Sequence, residues 1–180
     1  MSSNNVINLI NKTDCSGCSA CVSACPAKCL SMKSDGEGFY YPYMDGKNCK
    51  NCGKCLSVCA VKSKPNTNGY NRRVFVVQHK DDRIRRESTS GGAFTAIAEY
   101  VIGNGGIVFG AGMDKNFRVR HMPAYNIEQL ALFRNSKYSQ SDLGDTFPKI
   151  KDYLIKGKKI LFSGTPCQVA GLKKLLPDAG

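Results

Sequence analysis

The chain has 180 residues, a length for one domain or two small ones, and carries 26 Lys+Arg against 14 Asp+Glu for a formal charge of +12. A hydrophobic fraction of 42% is too high for a disordered chain. The longest apolar stretches, such as Val101 to Met113, are broken by glycine and fall short of the ~18 residues of a membrane span.

The opening residues, MSSNNVINLINKTDC, lack a basic start followed by an apolar core, so no secretory signal is visible and a cytoplasmic chain is expected. Nine of the ten cysteines lie between Cys15 and Cys59, and the tenth is Cys167. The cytosol keeps thiols reduced, so dense cysteine here reads as metal binding rather than a disulfide framework. Cys15-x2-Cys18-x2-Cys21-x3-Cys25 recurs, 34 residues on, as Cys49-x2-Cys52-x2-Cys55-x3-Cys59. Each run reads as a loop leading into a short helical turn. Between them, Cys29 to Tyr43 reads as two extended pieces joined at Ser34 to Gly38, where Asp-Gly is a hairpin signal. Leu30 and Met32 alternate with polar residues before the turn, and Phe39, Tyr41 and Tyr43 after it. Ser63 to Gly69, polar with Pro and Gly, reads as a linker. Composition changes there: residues 1–65 hold eight Lys, four acids and no Arg, whereas 66–180 hold eighteen Lys+Arg and ten acids.

In the second part, Val74 to Val77 is β-branched and aromatic and predicts a strand. Phe94, Ile97, Ala98, Val101 and Ile102 trace one apolar helix face, ended by Gly103 to Gly106. Ile107 to Phe109 starts a strand. A helix follows a cap at Asn126, with Leu130 and Phe133 inward. Another spans roughly Asp145 to Lys156, with Phe147, Ile150 and Leu154 inward. Ile160 to Phe162 is a short strand that runs through Ser163-Gly164-Thr165-Pro166-Cys167 into a helix ending near Leu176. Strands alternating with helices imply an α/β layer. A further strand would be expected after Pro177 to Gly180, so this domain reads as incomplete. The fold class is thus α+β: a small cysteine-rich module over 1–65, then an α/β domain over 66–180.

Three thiolates spaced by three residues can converge from one tight loop on one small object, and a fourth must come from elsewhere. The spacing resembles that of the bacterial two-[4Fe-4S] ferredoxin family over about residues 12–64, in which the fourth Cys of each run ligates the other cluster. On that resemblance Cys15, Cys18, Cys21 and Cys59 hold one cluster, and Cys49, Cys52, Cys55 and Cys25 the second. Pro26 follows Cys25 as in the family pattern, whereas Ala60 follows Cys59. Small residues in the loops (Ser16, Gly17, Ser19, Ala20, Gly53) let backbone N–H groups approach the sulfurs. The competing reading is structural zinc, which usually takes separated C-x2-C pairs. Cys29 lies outside the pattern and reads as a small buried hydrophobe. His79 and His121 read as ordinary surface or strand residues.

The basic second part suits anionic partners: a phosphate-bearing cofactor, an acidic redox protein or an anionic surface. Arg83 to Arg86 lacks interleaved aromatics, so nucleic acid is not expected. Two loops could hold anions. Ser88, Ser90, Gly91 and Gly92 sit before a helix, with unpaired N–H groups and a positive dipole; a Ser cap with a glycine turn is the plain alternative. Gly164, Thr165 and Cys167 sit at a strand's C-terminal end, where open α/β sheets bind ligands. Cys167 could be a redox thiol, a ligand of a further metal centre, or a packed cysteine. Lys137 adds a cation in a polar loop.

STSGGAF (Ser88 to Phe94), GGIVFGA (Gly105 to Ala111), FRNSKYSQS (Phe133 to Ser141) and LFSGTPCQVAGLK (Leu161 to Lys173) resemble the coenzyme F420 hydrogenase/dehydrogenase beta-subunit family. The resemblance implies an iron–sulfur flavoprotein oxidoreductase subunit within a larger redox complex. FAD would mediate between hydride chemistry, at F420 in archaeal members, and one-electron clusters. Ser88, Ser90, Gly91, Gly92 and Lys137 would then lie near flavin or F420 phosphates, and Gly164 to Cys167 would border the flavin or a further cluster. Three functions compete: that oxidoreductase subunit, a non-enzymatic electron carrier or docking module, and a zinc-stabilised interaction protein.

Overall fold

Residues 6–62 and 73–176 are described by the computed structural model. They belong to two units, Met1–Asn66 with Thr165–Gly180, and Thr67–Gly164. The expected linker and the residues after Leu176 lie outside the described residues. In chain order the helices and strands are α1 (Val6–Leu9), α2 (Ala20–Ala24), β1 (Leu30–Ser34), β2 (Tyr40–Met44), α3 (Lys54–Ser57), α4 (Asp82–Arg86) and α5 (Ala93–Gly103). There follow β3 (Ile107–Met113), β4 (Val119–Ala124), α6 (Ile127–Leu130), α7 (Thr146–Ile155), β5 (Ile160–Phe162) and α8 (Pro166–Leu175). Helix α8, expected to continue the second domain, groups with the cysteine-rich unit. No helix among the described residues is long and apolar enough to cross a membrane.

In the first unit β1 and β2 form an antiparallel hairpin in the register Leu30↔Met44. Asp35 sets the turn: its Oδ1 accepts from the backbone N–H of Glu37 (3.0 Å) and Phe39 (2.9 Å). Cross-strand partners share a face. Leu30 is buried and Met44 packs beside it, so the Tyr41–Tyr43 row faces the other way. Phe39 and Tyr43 are both half exposed. The aromatic alternation is real, but it turns outward and takes cations: Lys33 Nζ lies 3.4 Å from the Tyr43 ring centre and Lys12 Nζ 4.7 Å from that of Tyr41. One buried cluster is mostly cysteine. Cys21, Cys29, Leu30, Cys55 and Cys59 form the buried cluster, with Ile7, Ile10, Val22 and Leu56 packed around it.

The second unit is built on a mixed sheet of order β4-β3-β5. β3 pairs antiparallel with β4 and parallel with β5. Ala98, Val108, Ala124, Leu130 and Phe133 form its core. Gly110 lets the Phe133 ring lie against β3, since a Cβ there would stand 2.7 Å from the ring. Helix α5 turns Phe94, Ala98, Val101 and Ile102 inward, but Ile97 is 54% exposed, at the edge of the expected face. Asn126 caps α6 by accepting from Gln129 N–H (3.0 Å). Helix α7 buries Phe147 and Ile150 as expected.

One expectation needs correction, and one strand lies where none was expected. Val74 to Val77 forms no strand and is exposed, Val74 at 93%. Strand propensity needs a neighbouring strand to be realised, and none of the described strands pairs with this segment. Strand β4 was not anticipated. It buries Val119, His121 and Ala124 but carries Arg120 and Pro123, which obscure the alternation.

Candidate metal centre

The two cysteine runs share a backbone as well as a spacing. The third residue of each is left-handed (Gly17 at φ +64°, Asn51 at +50°), and so is the fifth (Ser19 at +61°, Gly53 at +72°). Ser19 and Gly53 then open α2 and α3. A left-handed residue reverses the chain tightly enough to aim amide N–H groups at a sulfur held inside the loop. The Gly17 N–H donates to the Cys15 sulfur, and the Ala20 N–H to that of Cys18.

Cys15 and Cys18 lie within electrostatic reach of Cys59, although Cys59 belongs to the other run. Burial raises the pKa of both thiols, and pushes Cys21 up to about 12. Helix α8 lies on this set. A Cβ at Gly171 would stand 2.7 Å from the Ala20 Cβ and 3.6 Å from the Cys18 sulfur. Lys174 Nζ donates to the Cys59 carbonyl at 2.9 Å. Cys167, near the start of α8, is within electrostatic reach of Cys15 and Cys18, and its sulfur is 3.1 Å from Thr165 Oγ1. Thr165 in turn starts α8, with Gln168 Oε1 accepting from its N–H at 2.9 Å.

The second set lines a small cavity that is partly open to solvent. Cys49, Cys52 and Cys55 line it, and so does Cys25 from the first run. Cys29 is on the same wall, its sulfur 3.4 Å from that of Cys25. Burial raises the Cys25 pKa, but the Cys29 thiol and the backbone N–H groups of Cys29, Ala27 and Leu30 outweigh it and bring Cys25 below the ordinary thiol value. Burial and then the neighbouring Cys25 sulfur push Cys29 upward. The two sets approach each other where Cys21 and Cys55 interact, on the adjoining turns α2 and α3.

These residues suit an iron–sulfur cluster: all-sulfur donors from two loops, N–H groups aimed at the sulfurs, and an open cavity beside one set. Among the described residues no three His, Cys, Asp or Glu converge as round a single metal ion. A cubane spans a wider gap than one ion, so this spacing is compatible with it.

Ser88, Gly91, Gly92 and Lys137 have structural partners in the second unit. Ser88 Oγ donates to the Ile84 carbonyl at 2.7 Å. Gly91 lies where a Cβ would stand 2.5 Å from the Val77 carbonyl, and Gly92 packs on His79 at φ +77°. Ser90 is exposed beside them. The Lys137 ammonium donates to the carbonyls of Leu132 (2.9 Å), Arg134 (2.5 Å) and Asn135 (3.1 Å). Those three bonds match its three donors. Thr89 Oγ1 donates to Asn135 Oδ1 at 3.0 Å, joining the two loops. Gly164 closes the second unit. His79 pairs with Glu99 at 3.2 Å. Cys29 is buried as expected and Cys167 had three readings open; the structure adds that each lies beside one of the two cysteine sets. For Cys29 the signal was its four-residue step from Cys25.

Residues 14–63, spanning both cysteine runs, match the family described as a 4Fe-4S dicluster domain. No curated protein matches the chain.

Proposed function

We propose that the chain relays electrons through two [4Fe-4S] clusters to and from a protein redox partner. Cys15, Cys18, Cys21 and Cys59 hold one cluster; Cys49, Cys52, Cys55 and Cys25 hold the other. The observation that carries this reading is the shared cavity of Cys25 with Cys49, Cys52 and Cys55. It draws the fourth thiol of one run to the first three of the other, as a crossed ligand set requires. When bound, the clusters supply one-electron redox chemistry. The chain's own residues bind them as thiolates, exclude water with Leu30 and Ile10, and donate N–H groups to the sulfurs, which shifts the reduction potential. The Cys21–Cys55 approach favours transfer between the two sites. With both clusters bound the formal +12 falls to about +8, at about -2 per oxidised cluster, and the chain stays basic, which favours an acidic partner.

Exchange of electrons with FAD or F420 held by the second unit is the finer expectation, and it rests on the family resemblance. Lys137 and Ser88 spend their donors within the unit. That favours the carrier over the flavin enzyme. A cofactor inventory on anaerobically purified chain tests both. The expected result is about eight iron and about eight acid-labile sulfide per chain. Stoichiometric acid-released flavin would restore the oxidoreductase reading. Zinc without sulfide would overturn the relay altogether.

A further inference from the structure

The cavity at the second cysteine set carries one thiol more than a cubane takes. Cys25, Cys29, Cys49, Cys52 and Cys55 all line it. Three of them belong to one run and are fixed by its loop. The fourth place faces two thiols on the connection between α2 and β1. Cys25 directly follows α2, and Cys29 directly precedes β1, with the buried Leu30 beside it. Cys29 is itself only 7% exposed, and its sulfur is 3.4 Å from that of Cys25. At that separation the two sulfurs are in contact, so a metal corner within bonding reach of one needs little backbone movement to be reached by the other. Pro26 stiffens the connection, and Lys28, at φ +49°, holds the turn that presents Cys29.

We propose that Cys29 is an alternative fourth ligand of the cluster held by Cys49, Cys52 and Cys55, exchangeable with Cys25. This rests on the cluster reading above. In the exchange the Cys25 sulfur–iron bond breaks and a Cys29 sulfur–iron bond forms. The proton of the Cys29 thiol passes to the departing Cys25 sulfur along their contact. One thiolate replaces another, so no electrons are gained or lost and no co-reactant is needed. The pair lets the site keep its cluster when either thiol is lost.

The test uses the full chain, purified anaerobically, as wild type, Cys25→Ser, Cys29→Ser and the double variant. Iron and sulfide are counted, and the reduced clusters are followed by electron paramagnetic resonance. Both single variants should keep about eight iron, with the signal of the second cluster altered in Cys25→Ser. The double variant should keep about four, with the first cluster's signal intact as an internal check on folding. A fall to about four in either single variant would overturn the proposal. Should Cys25→Ser yield no folded chain, Cys29→Ser still decides. Without the reserve thiol, its second cluster should lose iron to a chelator several-fold faster than wild type, and an unchanged rate overturns the exchange. A wild type lacking about eight iron would sink the cluster reading itself, an outcome distinct from a failure of the exchange alone.

Discussion

The two units solve the same problem with different interiors. In the second, Val108, Phe109, Leu130, Phe147 and Ile150 are buried, and Val108 and Leu130 belong to one apolar cluster with Ala98, Ala124 and Phe133. In the first, most of the buried cluster is cysteine, and the helices α2 and α3 are only a turn or so long. Such elements bury too little apolar surface to hold a fold by packing. The first unit is therefore expected to draw its stability from what its thiols bind, and the second from ordinary side-chain packing.

Removing the clusters should separate the two most sharply. Chelation or mild oxidation should expose the amides of 6–62 and of α8 to hydrogen exchange, while those of β3, β4 and α5 keep their protection. Equal loss in both units would break the distinction. A smaller effect tests how the thiols are shared. Cys15→Ala and Cys59→Ala should each remove the same about four iron, and combining them should remove no more. Cys55→Ala with Cys59→Ala should remove about all eight. If Cys15→Ala with Cys59→Ala emptied both sites, the crossed assignment would fail.

Glycine substitutions sharpen the contrast at the level of packing. Gly171→Ala would gain helix propensity in α8, but its Cβ meets Ala20 at 2.7 Å. Overpacking should win and lower the stability of the first unit by about 1–3 kcal/mol. Gly110→Ala should cost the second unit a similar about 1–3 kcal/mol, because its Cβ strikes the Phe133 ring. Gly103→Ala, at the end of α5 with nothing within 4 Å, should instead stabilise by about 0.5–1 kcal/mol. Denaturant midpoints read separately by hydrogen exchange in each unit check all three.

What the sequence revealed depended on how local the cause was. The cysteine runs were legible because ligand spacing is a short-range constraint, and so were the Asp35 turn, the Asn126 cap and the apolar faces of α5 and α7. The misread segments were decided at long range. Val74 to Val77 has strand chemistry, but none of the described strands pairs with it. β4 is a strand because β3 lies beside it, despite Arg120 and Pro123. The alternation of Tyr41 and Tyr43 did not say which face is buried; the pairing of Leu30 with Met44 decides it. Cys29 and Cys167 fall outside the ligand pattern, and only the folded chain brings each to a cysteine set.

The smallest expected effect concerns His121, the buried polar residue of β4. Its Nε2 lies 3.0 Å from the Ser163 carbonyl, so Nε2 carries the hydrogen and donates. The ring stacks on Phe162 with centroids 5.2 Å apart, and Nδ1 is buried without a hydrogen-bond partner among the described residues. Protonation would put a charge and an unpaired N–H into this apolar place. Burial accordingly holds the His121 pKa below its ordinary 6.5, outweighing the Ser163 carbonyl, which pulls it upward. The unfolded chain takes up the proton as pH falls through about 6.5, and the folded chain resists until lower pH. The stabilisation is complete above that point and is lost as pH drops through the folded pKa. Asp81 and Asp114 are held below their ordinary 3.8 by backbone N–H groups, chiefly those of Arg83 and Arg118. Their contribution is lost only in a more acid window. Between pH 7 and pH 5, roughly the window that brackets an ordinary histidine, the exchange protection of β3 and β4 should therefore decline in wild type. In His121→Gln, which keeps a donor to Ser163 but cannot be protonated, it should stay flat. A decline of equal slope in both would assign the pH response to other groups.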